Sequence, residues 1–173
     1  MSDIQSFAPI AKPNAQIIIL GSVPGITSLT VGEYYAHPRN LFWRIIADLL
    51  NSQPLLDYPS KTQTLQNAQI ALWDVMKSCY RPGSLDAAID KDSIVANDFN
   101  NFFKTHPHIQ KVFFNGAAAE QAFRRLVLPS LTRQTLILLK LPSTSPAHAA
   151  MSYQQKLESW KQILSPIKHC PAE

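Results

Sequence analysis

The sequence predicts an α/β fold, a three-layer αβα domain around a four-stranded parallel central sheet. Three observations lead there. Short apolar runs alternate with helix-patterned stretches in the order β-α-β-α-β-α-β-α. The runs read as strands buried on both faces, as a parallel sheet covered by helices requires. The chain has 173 residues, 46% of them hydrophobic and 16% charged, which is enough for one sizeable core. Residues 1–173 are therefore expected as a single domain, with 1–14 and 165–173 as terminal extensions.

The elements follow in order. Residues 16–20 (QIIIL) form a β-branched run bounded by turn residues, a buried strand. In 41–50 (LFWRIIADLL) the apolar side chains gather mostly on one helical side. Ser60-Lys-Thr-Gln63 has the form of a capping box opening a second helix. Residues 70–76 (IALWDVM) give the second strand, followed by a polar loop with Arg81-Pro82-Gly83. Phe99, Phe102 and Phe103 share a helical face that His106-Pro107 ends. Residues 112–114 are a short third strand closed by Asn115-Gly116, and 117–126 continue as a helix. Residues 135–141 (TLILLKL) are the fourth strand, ending in PSTSPAH. Ser152-Tyr-Gln-Gln is a second capping box, and Tyr153, Leu157, Trp160 and Leu164 supply the stripe of the last helix.

Composition excludes several classes. No apolar run reaches the ~18 residues of a membrane span. The opening MSDIQSFAPIAKPN lacks a basic region followed by an apolar core, so no secretory signal is expected. Cys79 and Cys170 stand far apart without metal spacing and read as reduced thiols of a cytoplasmic protein. The five histidines form no metal-binding pattern, so no metal site is expected. A net charge of +4 and a pI near 9.1 permit an anionic partner without requiring one.

In a parallel sheet the loops after the strands gather at one edge, where ligands bind. Here they are 21–40, 74–84, 115–116 and 141–148, and they hold the richest polar chemistry of the chain. Gly21 and Gly25 frame Ser22-Val23-Pro24, either as a tight turn or to let backbone approach a ligand. The spacing matches neither the dinucleotide fingerprint nor a P-loop. Tyr34, Tyr35, His37, Arg39 and Asn40 combine rings for base stacking with groups for phosphates. Each has a plainer reading: one tyrosine packed with its hydroxyl bonded, Arg39 a solvated charge, Asn40 a helix N-cap. Capping and catalysis are compatible at Asn40, since a cap would fix the amide. Ser143, Thr144 and Ser145, between Pro142 and Pro146, suit a phosphate clamp or local capping. Asp74 ends a strand at this edge, as a base, an acceptor or a loop cap. A serine hydrolase built on Ser22, Ser143 or Ser145 with His37 or His148 lacks the Gly-x-Ser-x-Gly elbow.

"GSVPG" after the first strand, "YYAHPRNLFW" behind it and "LPSTSPAH" after the last strand resemble the uracil-DNA glycosylase superfamily. More closely, they resemble its hypoxanthine-DNA glycosylase branch, also called DNA-deoxyinosine glycosylases. The likeness runs from the first strand to the last helix, and the motif around residues 32–43 is its specific part. It implies the superfamily's four-stranded αβα architecture. Where the uracil branch has an Asp and the mismatch branch an Asn before the proline of the first motif, this chain has Val23, which cannot orient water. Gly25 stands where the uracil branch has a bulky Tyr, and Leu141 where it has a His.

By this resemblance Asn40 takes the catalytic role. Ser22, Val23, Gly25, Tyr35, Asp74 and Asn115 are expected around the base. His37, Arg39, Ser143, Thr144, Ser145, Pro146 and His148 are expected on phosphates or in the gap the base leaves. The implied activity is monofunctional excision of hypoxanthine in base-excision repair, without metal or organic cofactor. The partner is DNA containing deaminated bases, met by a cytoplasmic monomer, nucleoid-associated in a bacterium. Alternatives are a uracil or mismatch glycosylase of the same fold and a non-catalytic nucleic-acid-binding module.

Overall fold

Strands β2 (Ile17–Gly21), β3 (Ile70–Asp74), β6 (Lys111–Asn115) and β7 (Ile137–Leu141) form a parallel sheet in the order β3-β2-β6-β7 in the computed structural model, which describes residues 3–52 and 57–166. Register is continuous: Ile17 lies opposite Ile70 and Lys111, and Phe113 opposite Leu139. The two central strands carry the apolar core. Ile18, Ile19, Leu20, Val112, Phe113 and Phe114 are all fully buried, whereas edge strand β7 is partly open.

From β2 the chain crosses first to one side, into β3, and later to the other, into β6. Right-handed crossovers in opposite directions put helices on opposite faces. They also open a crevice beyond the carboxyl ends of β2 and β6, the switch point where such sheets bind ligands. The expected four-stranded αβα architecture is the one observed.

The helices have local causes. In α2 (Phe42–Leu49) the residues Phe42, Trp43, Ile45, Ile46 and Leu49 form the buried stripe, and Phe42 meets Trp160 of α6 (Tyr153–Trp160) edge to face. The expected capping box at Ser152 is present, with Gln155 completing it. In α4 (Phe99–Thr105) the three phenylalanines are buried and Asp98 caps the first turn. Helix α5 (Ala117–Leu126) starts at Gly116, whose φ of +92° favours glycine.

Three expectations are corrected. The second helix, α3 (Tyr58–Asn67), is capped by Asp57, which accepts from the Ser60 N–H at 2.8 Å. Ser60 thus lies inside the first turn, and the Gln63 amide bonds Asn67 rather than folding back to a cap. The strand expected over 70–76 stops at Asp74. At Val75 the chain leaves the sheet, and β4 (Met76–Tyr80) pairs antiparallel with β1 (Asp3–Gln5) and β5 (Val95–Ala96) in a second small sheet. The N-terminal stretch expected as an extension is thereby tied to the body. Ile10 bridges Leu72, and the Phe7 carbonyl accepts from the Trp73 indole at 3.0 Å. A short helix, α1 (Ile26–Val31), was also not expected. Cys79 is buried, while Cys170 and the last seven positions of the C-terminal stretch lie outside the described residues.

Candidate active site

The loops after the four parallel strands enclose a cleft of about 520 Å³ at the carboxyl edge of the sheet. Of the expected residues, Asn40, Ser22, Val23, Gly25, Tyr35, Asp74, Asn115, His37, Ser143, Thr144, Ser145, Pro146 and His148 all line it. Arg39 does not. It is exposed, and its backbone N–H donates to His37 Nδ1 at 3.1 Å.

Asn40 owes its place to a turn. The Asn40 N–H donates to the His37 carbonyl at 2.9 Å, with Pro38 supplying the fixed φ at the second position. The next residue, Leu41, is the N-cap of α2, but the Asn40 side chain still serves the helix, its Oδ1 accepting from the Phe42 N–H at 2.9 Å. This bond fixes the amide and tells its oxygen from its nitrogen. Oδ1 keeps a second lone pair.

The two tyrosines divide between structure and site. Tyr34 is buried, its hydroxyl donating to the Ala8 carbonyl at 2.9 Å and its own carbonyl accepting from the Trp43 indole. Tyr35 lines the cleft. Its ring stacks on Phe42 at 4.2 Å, and its backbone is left-handed with φ +54°. A bulky residue there is strained, and such strain collects at functional sites.

Gly21 is required by close approach. A Cβ at this position would lie 2.4 Å from Asp74 Oδ1 and 2.7 Å from the Tyr35 hydroxyl. At Gly25 a Cβ would meet nothing within 4 Å, so the space where the uracil branch carries a tyrosine is open here. Val23 is buried and apolar and can hold no water.

The far wall is a strut. Thr144 is 0% exposed: its hydroxyl accepts from Asn115 Nδ2 at 2.9 Å, its N–H donates to Asn115 Oδ1 at 2.9 Å, and its carbonyl accepts from Leu41. One expected role changes accordingly. Thr144 cannot offer its enclosed hydroxyl to a phosphate, whereas the Asn115 amide, tied to Thr144 at both ends, keeps one N–H hydrogen and one oxygen lone pair. Together they lock the β7 loop to β6 and to the turn that carries Asn40. Ser143 and Ser145 accept from backbone N–H groups of their own loop, which leaves each hydroxyl hydrogen available. Ala147 and His148 stand exposed on the rim, and the His148 carbonyl accepts from Lys156, whose ammonium is buried.

Sequence reasoning missed the near wall. Arg81, 2% exposed, donates to the Pro24 carbonyl at 2.7 Å and the Gly83 carbonyl at 3.0 Å. It stands 3.7 Å from Asp86, and Asp86 in turn accepts from the Ser22 hydroxyl at 3.0 Å. The Arg-Pro-Gly turn was visible in sequence; its pairing with a loop some 60 residues earlier was not. Asp74 sits beneath this wall. Burial and the Asp86 carboxylate push its pKa up to about 7, with Arg81 opposing. Burial and Asp74 hold the Tyr35 phenol well above its usual range, so it stays a hydrogen-bond donor. Among the described residues no group of three His, Cys, Asp or Glu side chains comes together as a metal site, and no helix is long and apolar enough to cross a membrane.

A switch-point cleft floored by a glycine-pinched carboxylate and walled by a fixed amide defines an α/β enzyme site. The family model for the uracil DNA glycosylase superfamily matches residues 8–164. A hypoxanthine DNA glycosylase of Methanosarcina barkeri is 33% identical over 136 residues, 78% of this chain and 84% of the relative. A hypoxanthine DNA glycosylase of Methanosarcina acetivorans is 32% identical over 161 residues, 92% and 96% of the two chains. The solution NMR structure of an M. acetivorans protein, provisionally assigned as a uracil DNA glycosylase, superposes with a TM-score of 0.78 at 30% identity and covers 93% of this chain and 96% of that one. The chain belongs to the uracil DNA glycosylase superfamily and is a DNA glycosylase.

Proposed function

We propose that this enzyme excises hypoxanthine, the deamination product of adenine, from DNA and leaves an abasic site for base-excision repair. The observation that carries the reading is the Asn40 amide, fixed at the cleft by the Phe42 N–H with one oxygen lone pair unspent. Val23 leaves the first loop without a water-orienting group, so Asn40 is the candidate for that task. The names of the two curated relatives support the choice of base.

The target nucleotide must leave the helical stack, because its glycosidic bond is otherwise out of reach. Hypoxanthine pairs poorly with thymine, so its extrusion costs less than that of a normal base. Asn40 accepts a hydrogen bond from a water below C1′. As the C1′–N9 bond breaks, its electron pair leaves with the purine, the water oxygen bonds to the oxocarbenium-like carbon, and the proton that the water loses passes through solvent to the purine anion, which departs as neutral hypoxanthine. An amide has no useful basicity, so orientation is its contribution. Backbone amides at Ser22 and Val23 and the open space beside Gly25 receive the base, and hydrogen bonds to the departing purine stabilise its charge. Ser143, Ser145 and His37 face phosphates, and Pro146 and His148 stand at the gap in the stack.

Among the described residues no lysine lines the cleft, which suits hydrolysis by water rather than an imine. The test is excision from otherwise identical duplexes with one deoxyinosine or one deoxyuridine, followed by alkaline cleavage. Cleavage at inosine is expected. Cleavage at uracil alone would reverse the assigned specificity, and DNA binding without cleavage of either would favour a binding module.

A further inference from the structure

The far rim of the cleft hangs from one covered cation. Residues 147–150 are exposed, and the backbone N–H groups of Ser145, Ala147 and His148 all donate within their own loop. Among the described residues, one hydrogen bond ties the stretch 145–151 to the rest of the molecule: the Lys156 ammonium donates to the His148 carbonyl at 2.6 Å. One helical turn further on, the Trp160 indole donates to the Pro142 carbonyl at 2.9 Å. Lys156 and Trp160 thus share a face of α6 and hold the two ends of the loop, while Thr144 pins its middle.

The two ends are held by different chemistry. The indole is neutral. Lys156 is charged and 2% exposed, and among the described residues it has no ion-pair partner. His148 takes one of its three N–H donors. Burial pushes its pKa down. A covered ammonium without an anion costs stability, and a neutral donor could make the same bond without that penalty. The covering layer is thin, so the group lies just under the surface rather than deep in the core. There an anion outside is screened less than between two charges in open water.

Resting on the reading of this chain as a glycosylase that extrudes its target nucleotide, we infer that Lys156 is a positioning residue for extrusion: it holds the 145–148 turn in the shape that enters the gap in the stack, and the phosphates of bound DNA supply the anion that its ammonium lacks. Lys156 touches neither base nor sugar. It acts through the His148 carbonyl, while Pro146 and His148 fill the gap. A turn already formed avoids the ordering cost that a loose one would carry on binding. The consequence is selective. Intact duplex offers no gap, so Lys156 matters only once a nucleotide has left the stack.

The experiment measures equilibrium binding to two duplexes of one sequence, one intact and one with a tetrahydrofuran abasic analogue at the target position, beside thermal unfolding. The parent is expected to favour the abasic duplex about tenfold or more, because its turn enters a gap already open. Lys156→Met keeps the apolar stem without the charge. It is expected to unfold no earlier than the parent, to bind intact duplex within about twofold of it, and to retain at most about a threefold preference for the abasic one. Lys156→Arg, which keeps a cation with donors, is expected to preserve most of the preference. In the parent labelled with 15N-lysine, the Lys156 ammonium signal is expected to move on adding abasic duplex and to stay in place with intact duplex.

A folded Lys156→Met that keeps the parent's preference overturns the inference. So does a fall in Tm with equal weakening on both duplexes, which is what a merely structural lysine would give. An ammonium signal that abasic duplex leaves unmoved overturns it even where Lys156→Met does not fold. Neither duplex carries a base to be excised, so failure to excise deoxyinosine would sink the proposed function and leave this result standing. Excision of deoxyinosine by a parent that binds both duplexes alike would do the reverse.

Discussion

Replacing Asn40 by alanine removes two things at once, and the structure lets them be separated. One is the cap: Oδ1 takes the Phe42 N–H at 2.9 Å, and its loss costs about 1 kcal/mol. For a chain of this size that lowers Tm by roughly 2–4 °C. The other is the lone pair that orients water. Losing one positioned hydrogen bond at a reacting centre costs about 100- to 1,000-fold in rate, or roughly 2.7–4 kcal/mol. The greater loss falls on the chemical step, so the rate should collapse in a protein that still folds and binds. The assay is single-turnover excision from a deoxyinosine duplex, beside DNA affinity and thermal unfolding. Asn40→Asp serves as the control, because a carboxylate keeps the acceptor for Phe42 and restores most of the Tm. A folded Asn40→Ala that retains more than about a tenth of the parent rate would refute the assignment, since capping alone cannot touch the chemical step.

Other consequences follow from the same packing. Gly21→Ala puts a methyl 2.4 Å from Asp74 Oδ1 and 2.7 Å from the Tyr35 hydroxyl; it should cost about 1–3 kcal/mol in denaturant unfolding and most of the activity, and an unchanged midpoint would contradict the close approach. Thr144→Val keeps the shape but removes the acceptor for Asn115 Nδ2, for an expected loss of about 1–3 kcal/mol and a slower enzyme, whereas an unaltered Tm would mean the strut carries no load. Asp74 ties stability to pH. With its folded pKa near 7 against 3.8 for an open aspartate, the folded protein holds a proton the unfolded chain lacks. Its contribution is therefore fullest below the unfolded value and is lost as pH rises through the folded one. Asp74→Asn stays neutral, so its Tm advantage over the parent should grow between pH 5 and pH 8, and a pH-independent difference would count against a buried, raised carboxyl.

Much of this enzyme was legible along the chain. Buried strands announce themselves as unbroken apolar runs, which is how β2 and β6 were found. The Ser152 box and the phenylalanine face of α4 are contained within single helices. Asn40 was legible because its turn, its cap and its motif lie within a few residues of one another. Where local signals competed, the sequence misled. Ser60 and Asp57 both suit an N-cap, and only the helix start decides between them. Val75 continues an apolar run, but hydrogen bonds to Gly21 and from Asn97 draw the chain out of the sheet there.

What the sequence determined alone is therefore the four strands of the parallel sheet, the main helices between them, their order, and the loops that meet at one sheet edge, because each depends on contacts between near neighbours. Tertiary structure decided which of those loop residues remain available for chemistry. Thr144 and Asn115 bind each other across 29 residues, and Ser22 reaches Asp86 across 64. Among the described residues, Asp74 Oδ2 and the Tyr35 hydroxyl are left enclosed and unpaired over a glycine from a third segment. Hydrogen-bond capacity is spent only when distant segments meet, and propensity and periodicity carry no record of where it is spent.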